Sequence, residues 1–180
     1  HTAMANGNFR DARVALILLS GLPGAGKTTF ARALSAHLEF VHVESDAIRR
    51  GIAQEPTYTF KESGAVFARV EVLARAALGH GEHAVIDATN LTNRDRKRFL
   101  RLADAHEARL IAVRLTAPVN TLRARIAGPR DGHSQAGVAV LEKMLSRPQP
   151  LPVPALVVDT RFGLEPAIDL ILKIVNDQGE

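Results

Sequence analysis

Leu16 to Leu34 reads LILLSGLPGAGKTTFARAL: an apolar run, a turn carrying three glycines, then a lysine, two threonines and a segment of helical period. No other stretch restricts the fold of this chain as much. Gly21-Leu22-Pro23-Gly24-Ala25-Gly26-Lys27-Thr28 matches G-x-x-x-x-G-K-[ST] in full, and Thr29 extends it into the helix. Glycines at these positions let backbone N–H groups converge on an anion at a helix amino terminus, where the helix dipole also favours negative charge. Lys27 would reach the β- and γ-phosphates of a bound nucleotide, and the Thr28 hydroxyl would ligate Mg²⁺ bridging those phosphates. An ordinary strand-turn-helix is the plainer alternative. The motif nonetheless has the context it requires, a buried-strand run before it and a helical pattern after it. The turn is therefore expected to hold a nucleoside triphosphate, ATP with Mg²⁺.

The rest of the chain alternates in the same way. Apolar runs at Val14–Ser20, Phe40–Val43, His83–Asp87, Leu110–Leu115 and Ala155–Asp159 alternate with helical segments. The helices are expected at Lys27–Leu38, Glu62–Gly79, Asn93–His106, Pro118–Ala127, Gln135–Ser146 and Leu164–Asn176. Val66, Val70, Leu73 and Ala77 recur at helical spacing. Thr92 or Asn93 is expected to cap the third helix, with Phe99, Leu100 and Ala103 turned inward. Such alternation implies a parallel sheet covered on both faces, with its ligand crevice beyond the carboxyl ends of the strands. Gly21, the Ser45-Asp46 segment and Asp87–Asn90 would then share one rim. The proline-rich stretch Ser146–Pro154 reads as a stiff crossover before the last strand.

At 180 residues the chain is long enough for one domain with a substantial core, expected over residues 14–180 with residues 1–13 as a tag remnant and N-terminal arm. No apolar run approaches the roughly 20 residues a membrane helix needs, and no signal-peptide pattern is present. The absence of cysteine excludes disulfides and thiolate metal sites, and fits a cytoplasmic protein. The net charge of +4 comes from 18 arginines and only 5 lysines. Arginine's forked donors suit anionic ligands, although codon bias explains the same excess.

Switch GTPases, water-activating ATPases and kinases all use this loop. A guanine-reading N-K-x-D is absent; Asn93-Arg94-Asp95-Arg96 lacks its lysine and spacing. In AVIDATN, Asp87 is followed by alanine rather than the glutamate that polarises water in motor-type ATPases. Transfer to a bound acceptor fits better. In VHVESDAIRRG, Asp46 would accept a proton from an acceptor hydroxyl attacking in line. Arg49, one helical turn on, would lie on the same side and hold an acceptor phosphate or other anion. A helix cap at Asp46 paired with Arg49 is the structural alternative.

GLPGAGKTT, ESDAIRRG and VIDATNLTNRDRKRFLRLADAH together resemble the small P-loop kinases grouped with polynucleotide 5′-hydroxyl kinases and, more distantly, zeta toxins; the resemblance spans about Val14 to Thr160. It implies an α/β P-loop NTPase three-layer sandwich: a five-stranded parallel sheet with helices on both faces and an arginine-bearing lid over about residues 117–147. By that resemblance Asp46 is the general base, Arg49 binds the acceptor's phosphate, and lid arginines stabilise the transferring phosphoryl group. TLRARIAGPRDGHSQAGVAVLEKML is similar to that lid, with Arg125 and Arg130 as candidates beside Arg123, although Gly128-Pro129 departs from the usual spacing. Asp87 would hold magnesium directly or through water, a purely structural hydrogen bond being the alternative. Thr89 and Asn90 would face the acceptor, and Asp159-Thr160 resembles the segment near the adenine.

The acceptor expected first is a polynucleotide 5′ end, with a nucleoside, sugar nucleotide, antibiotic or other small metabolite behind it. Arg94, Arg98 and Arg101 share one helix face that would attract a polyanion, or is simply solvated. Aromatic residues are only 4%, so stacking surfaces are scarce. A nucleotide-dependent binding switch without chemistry is a further reading, and it has no need of Asp46. No membrane and no obligate protein partner are expected.

Overall fold

A computed structural model describes residues 13–88, 92–128, 135–146 and 155–177. The central strand β1 (Ala15–Gly21) runs between β3 (Ala84–Ala88) and β4 (Arg109–Thr116); β2 (Val41–Glu44) lies outside β3, and β5 (Ala155–Asp159) outside β4. All four pairings are parallel. The order β2-β3-β1-β4-β5 puts the change of chain direction at β1. Ligand crevices open at that point in such sheets, beyond the strand carboxyl ends.

The three layers follow from strand pleat. Successive side chains of β1 point to opposite faces. Ile17 and Leu19 join Val85, Ile111 and Val113 in one core, closed by Phe30 and Leu34 of α1 (Lys27–Ser35) and Ile171 of α7 (Glu165–Asn176). Leu122 and Ile126 of α5 (Val119–Ala127) and Leu141 of α6 (Gln135–Leu145) complete that core. Leu16 and Leu18 join Ile86 in the other, beneath Val66, Phe67 and Val70 of α3 (Phe60–Gly79) and Phe99 and Leu102 of α4 (Asn93–Ala105). Among the described residues, no helix is long and apolar enough to cross a membrane.

The five strands lie within a residue of their expected positions. The helix α2 (Ser45–Ile52) was not expected as a helix of its own. It has no side-chain cap: Glu44 occupies the cap position and Asp46 lies in the first turn, so a cap at Asp46 is corrected. α3 begins two residues before its expected start, because the Thr59 side chain accepts the Glu62 N–H and sets the cap there. Thr92 caps α4 in a reciprocal box with Asp95. Leu100 is 49% exposed, against the expectation that it turns inward. Phe99, Leu102 and Ala103 define the buried stripe, and Leu100 falls beside it on the 3.6-residue period.

Phe99 is fully buried and meets Phe67 edge-on, with ring centroids 6.3 Å apart. Phe99→Ala is expected to cost about 3–5 kcal/mol in equilibrium urea unfolding; a loss under about 1 kcal/mol would show that this layer repacks freely.

Candidate active site

The glycine turn leaves β1 and enters α1 directly. Gly24 and Gly26 have φ of 85° and 96°, left-handed values that a side chain would strain, and Gly26 is the cap residue of α1. Inside the turn the Ala25 N–H donates to the Leu22 carbonyl at 3.0 Å. Gly21 to Thr29 thus form one continuous bend from the sheet's central strand to a helix amino terminus, the geometry that binds anions. Lys27 is 8% exposed, and its Nζ donates to the Gly21 carbonyl at 3.3 Å, so the ammonium lies folded along the loop.

Thr28 and Asp87 come together. The Thr28 hydroxyl donates to Asp87 Oδ2 at 3.4 Å, bringing two hard oxygen donors side by side at the ends of α1 and β3. A hydroxyl and a carboxylate suit Mg²⁺, which keeps most of its shell as water and phosphate oxygens. The donor set therefore fits the ion. His42 of β2, unremarked in the sequence, places Nε2 3.3 Å from the same Oδ2 and Nδ1 3.5 Å from Glu44. The hydrogen bond with Asp87 raises its pKa, burial opposes this, and the charges of Asp87 and Glu44 add to the rise.

A second constellation surrounds α2. Asp46 is half-buried in its first turn. Arg49 is 2% exposed and does not pair as a cap partner would. It donates to Glu62 Oε1 at 2.8 Å and to the Ser63 hydroxyl at 3.3 Å, and its guanidinium lies 4.4 Å from the Tyr58 ring centroid. Its Nε is buried without a hydrogen-bond partner. Glu62 is the hub: its Oε2 accepts the Thr57 N–H at 2.9 Å and hydroxyl at 2.8 Å, and its Oε1 also accepts the Tyr58 N–H at 3.2 Å. The backbone N–H of Thr57 and then Arg49 push its carboxyl down to about 2, overriding burial. Neither Glu62 nor Tyr58 stood out in the sequence, because their partners lie in α2 and in a turn of no regular pattern.

Of the arginines expected in a lid, Arg125 is bonded to the glycine turn and the end of β5. It donates to the Gly24 carbonyl at 3.0 Å, to the Thr160 hydroxyl at 2.8 Å and to the Thr160 carbonyl at 3.3 Å. Thr160 itself sits 3.8 Å from where a Gly26 Cβ would stand, so the segment read as flanking the adenine does adjoin the loop. Arg123 points elsewhere, forming a two-point pair with Glu142 of α6. Arg130, Thr89 and Asn90 lie outside the described residues.

A P-loop bent between β1 and α1, in a parallel sheet with helices on both faces, defines the class of this protein: an α/β P-loop protein built to hold phosphate. The chain belongs to the family whose model, described as an AAA domain, matches residues 16–151. It is 30% identical over 112 residues, 61% of its length, to L-seryl-tRNA(Sec) kinase of Methanococcus maripaludis. It spans 44% of that relative's length, and 32% of that of an uncharacterised Mycobacterium tuberculosis relative. Among solved structures, a putative kinase from Chloroflexus aurantiacus superposes with a TM-score of 0.72 at 21% identity, covering 93% of this chain and 99% of that one. The Mycobacterium tuberculosis APS kinase CysC, in complex with AMPPNP and APS, gives 0.68 at 14% identity, covering 92% and 99%. At these identities the two structures establish the shared fold.

The Glu62 carboxyl titrates below its ordinary 4.5 when folded, so it stabilises the fold above about pH 4.5, and that contribution drains away as pH falls towards about 2. Glu62→Gln is expected to lower the urea midpoint at neutral pH and to lower it progressively less on acidification. A pH-independent difference would contradict the depressed value.

Proposed function

We propose that this chain is an ATP-dependent phosphotransferase that moves the γ-phosphoryl group to an acceptor hydroxyl, with a polynucleotide 5′ end as the acceptor. The observation that carries the reading is the rim formed by three neighbouring strands. β1 ends in the phosphate loop, β3 ends at Asp87 beside Thr28, and β2 runs into the helix bearing Asp46 and Arg49. A nucleotide-dependent switch gives no reason for a half-buried carboxylate beside a buried arginine on the acceptor side.

In this reading the loop amides and Lys27 hold the β- and γ-phosphates. Thr28 and Asp87 would hold Mg²⁺, which offsets phosphate charge when bound. The Asp46 carboxylate takes the proton of the acceptor hydroxyl while that oxygen bonds to the γ-phosphorus. The bond from the γ-phosphorus to the bridging oxygen breaks, and ADP leaves with the electron pair. Arg49 supplies positive charge to the acceptor's phosphate, its orientation set by Glu62. Arg130 stabilises the equatorial oxygens of the transferring group. Arg125, bonded to Gly24 and Thr160, braces the loop in the arrangement described and would reach the phosphoryl group only by releasing those contacts.

The relative named for a seryl-tRNA supports an acceptor that contains nucleic acid. The neighbour solved with APS supports a small nucleotide acceptor as the second reading.

Asp46→Ala is expected to lower phosphoryl transfer by at least about a hundredfold while ATP affinity stays within twofold. Labelled ATP with 5′-hydroxyl oligonucleotides and pooled small metabolites reads the first, and calorimetry the second. Undiminished transfer would remove Asp46 as the base. Lys27→Ala should instead weaken ATP binding whichever acceptor is present, and an unchanged affinity would place the triphosphate elsewhere.

A further inference from the structure

The turn between α2 and α3 is built with more care than a connector needs. Tyr58 has φ of 56°, a left-handed value that is costly for a bulky side chain. Three donors from Thr57 and Tyr58 converge on the Glu62 carboxylate and hold the turn in that conformation. The result is that the Tyr58 ring lies over the Arg49 guanidinium, 4.4 Å from centroid to carbon, while the side chain keeps partial exposure. The ring thus packs on the helix that carries Asp46; burial raises the phenol's pKa, and the charge of Asp46 adds to the rise. Two residues on, Phe60 is 82% exposed, the most exposed of the large apolar side chains described. Arg94, at the start of α4, stands 6.0 Å from its ring centroid.

We propose that Tyr58 is a stacking face for a nucleobase of the acceptor, extended outward by Phe60 and Arg94, with Glu62 as the residue that positions it. A flat π-face backed by a guanidinium is suited to a base, and the exposed Arg94 beside Phe60 adds positive charge on the outer side. Aromatic residues are scarce in this chain, with one tyrosine and no tryptophan, yet Tyr58 and Phe60 stand two positions apart where the turn from the helix bearing Asp46 enters α3. Exposed aromatics interleaved with arginine are what single-stranded nucleic acid requires. A sugar or other compact neutral alcohol would gain little from them. The inference rests on the reading of Asp46 as base and of a nucleic-acid end as acceptor, and it names the part of the molecule that distinguishes such an end.

Because Tyr58 is the sole tyrosine and tryptophan is absent, intrinsic emission reports this one ring. The wild-type protein, saturated with a non-hydrolysable ATP analogue and Mg²⁺, is titrated with a short 5′-hydroxyl oligodeoxynucleotide. A second titration uses the same oligonucleotide made abasic at its first two positions. The base-bearing probe is expected to quench the emission and to bind about five- to a hundredfold more tightly than the abasic one. By anisotropy, Tyr58→Ala and Phe60→Ala should each lose most of that preference, and Tyr58→Phe should keep it. In turnover, Tyr58→Ala and Glu62→Gln should raise the oligonucleotide KM more than they lower kcat. Equal binding of the two probes, or an undiminished preference in Tyr58→Ala and Phe60→Ala, would overturn the stacking face. If transfer to oligonucleotides proceeds while the preference is missing, the stacking face falls and the function stands. If the preference is present and no oligonucleotide is phosphorylated, the stacking face stands and the acceptor reading falls.

Discussion

The complete burial of β1 is the constraint from which the site follows. Its first six residues are enclosed on both faces and its edges are taken by β3 and β4, so its carboxyl end has one position relative to its neighbours. The glycine turn inherits that rigidity. Leu19 pairs with Asp87, and Ser20 pairs with Ala88 and Arg114, so the loop's first glycine and the carboxylate that meets Thr28 are fixed by one ladder. Because Glu44 pairs with Asp87 in turn, α2 and Asp46 start at the same level. A short carboxylate two strands from the loop is thereby held on the loop's rim.

Around this rim, charged groups are braced by one another rather than by bulk apolar packing. His42 and Thr28 share one oxygen of Asp87, Glu62 gathers Arg49 with the turn at Thr57 and Tyr58, and Arg125 links α5 to the loop and to Thr160. Buried ionic groups of this kind are worth little as net stabilisation, since desolvation offsets their attraction. What they supply is orientation. Tyr58 in a left-handed backbone is the plainest instance, because that conformation persists only where its surroundings hold it.

The architecture was legible because its signals are periodic. Apolar runs of strand length alternated with helical patterns, and the phosphate loop marked where the first strand had to end. Legibility failed where the cause is local or long-range. Leu100 belonged to an apolar cluster in sequence, but the helix period put it outside. The helix Ser45–Ile52 is short, and its inward surface includes an arginine rather than an apolar stripe. Glu62 read as an ordinary early-helix acid, and its role depends on donors four to thirteen positions away. Arg49 was expected to meet an anion of the acceptor, and its 2.8 Å ion pair with Glu62, thirteen positions away, is a tertiary fact that no spacing announces.

The central claim is that one rim carries both the phosphate donor and the base that activates its acceptor. A crystal structure of the complex with a non-hydrolysable ATP analogue, Mg²⁺ and a 5′-hydroxyl dinucleotide tests it most directly. The account predicts phosphates on the amides of Gly21–Thr28, with an Asp46 carboxylate oxygen about 2.6–3.2 Å from the acceptor hydroxyl. Phosphates away from that loop, or an acceptor hydroxyl bound out of reach of Asp46, would contradict it.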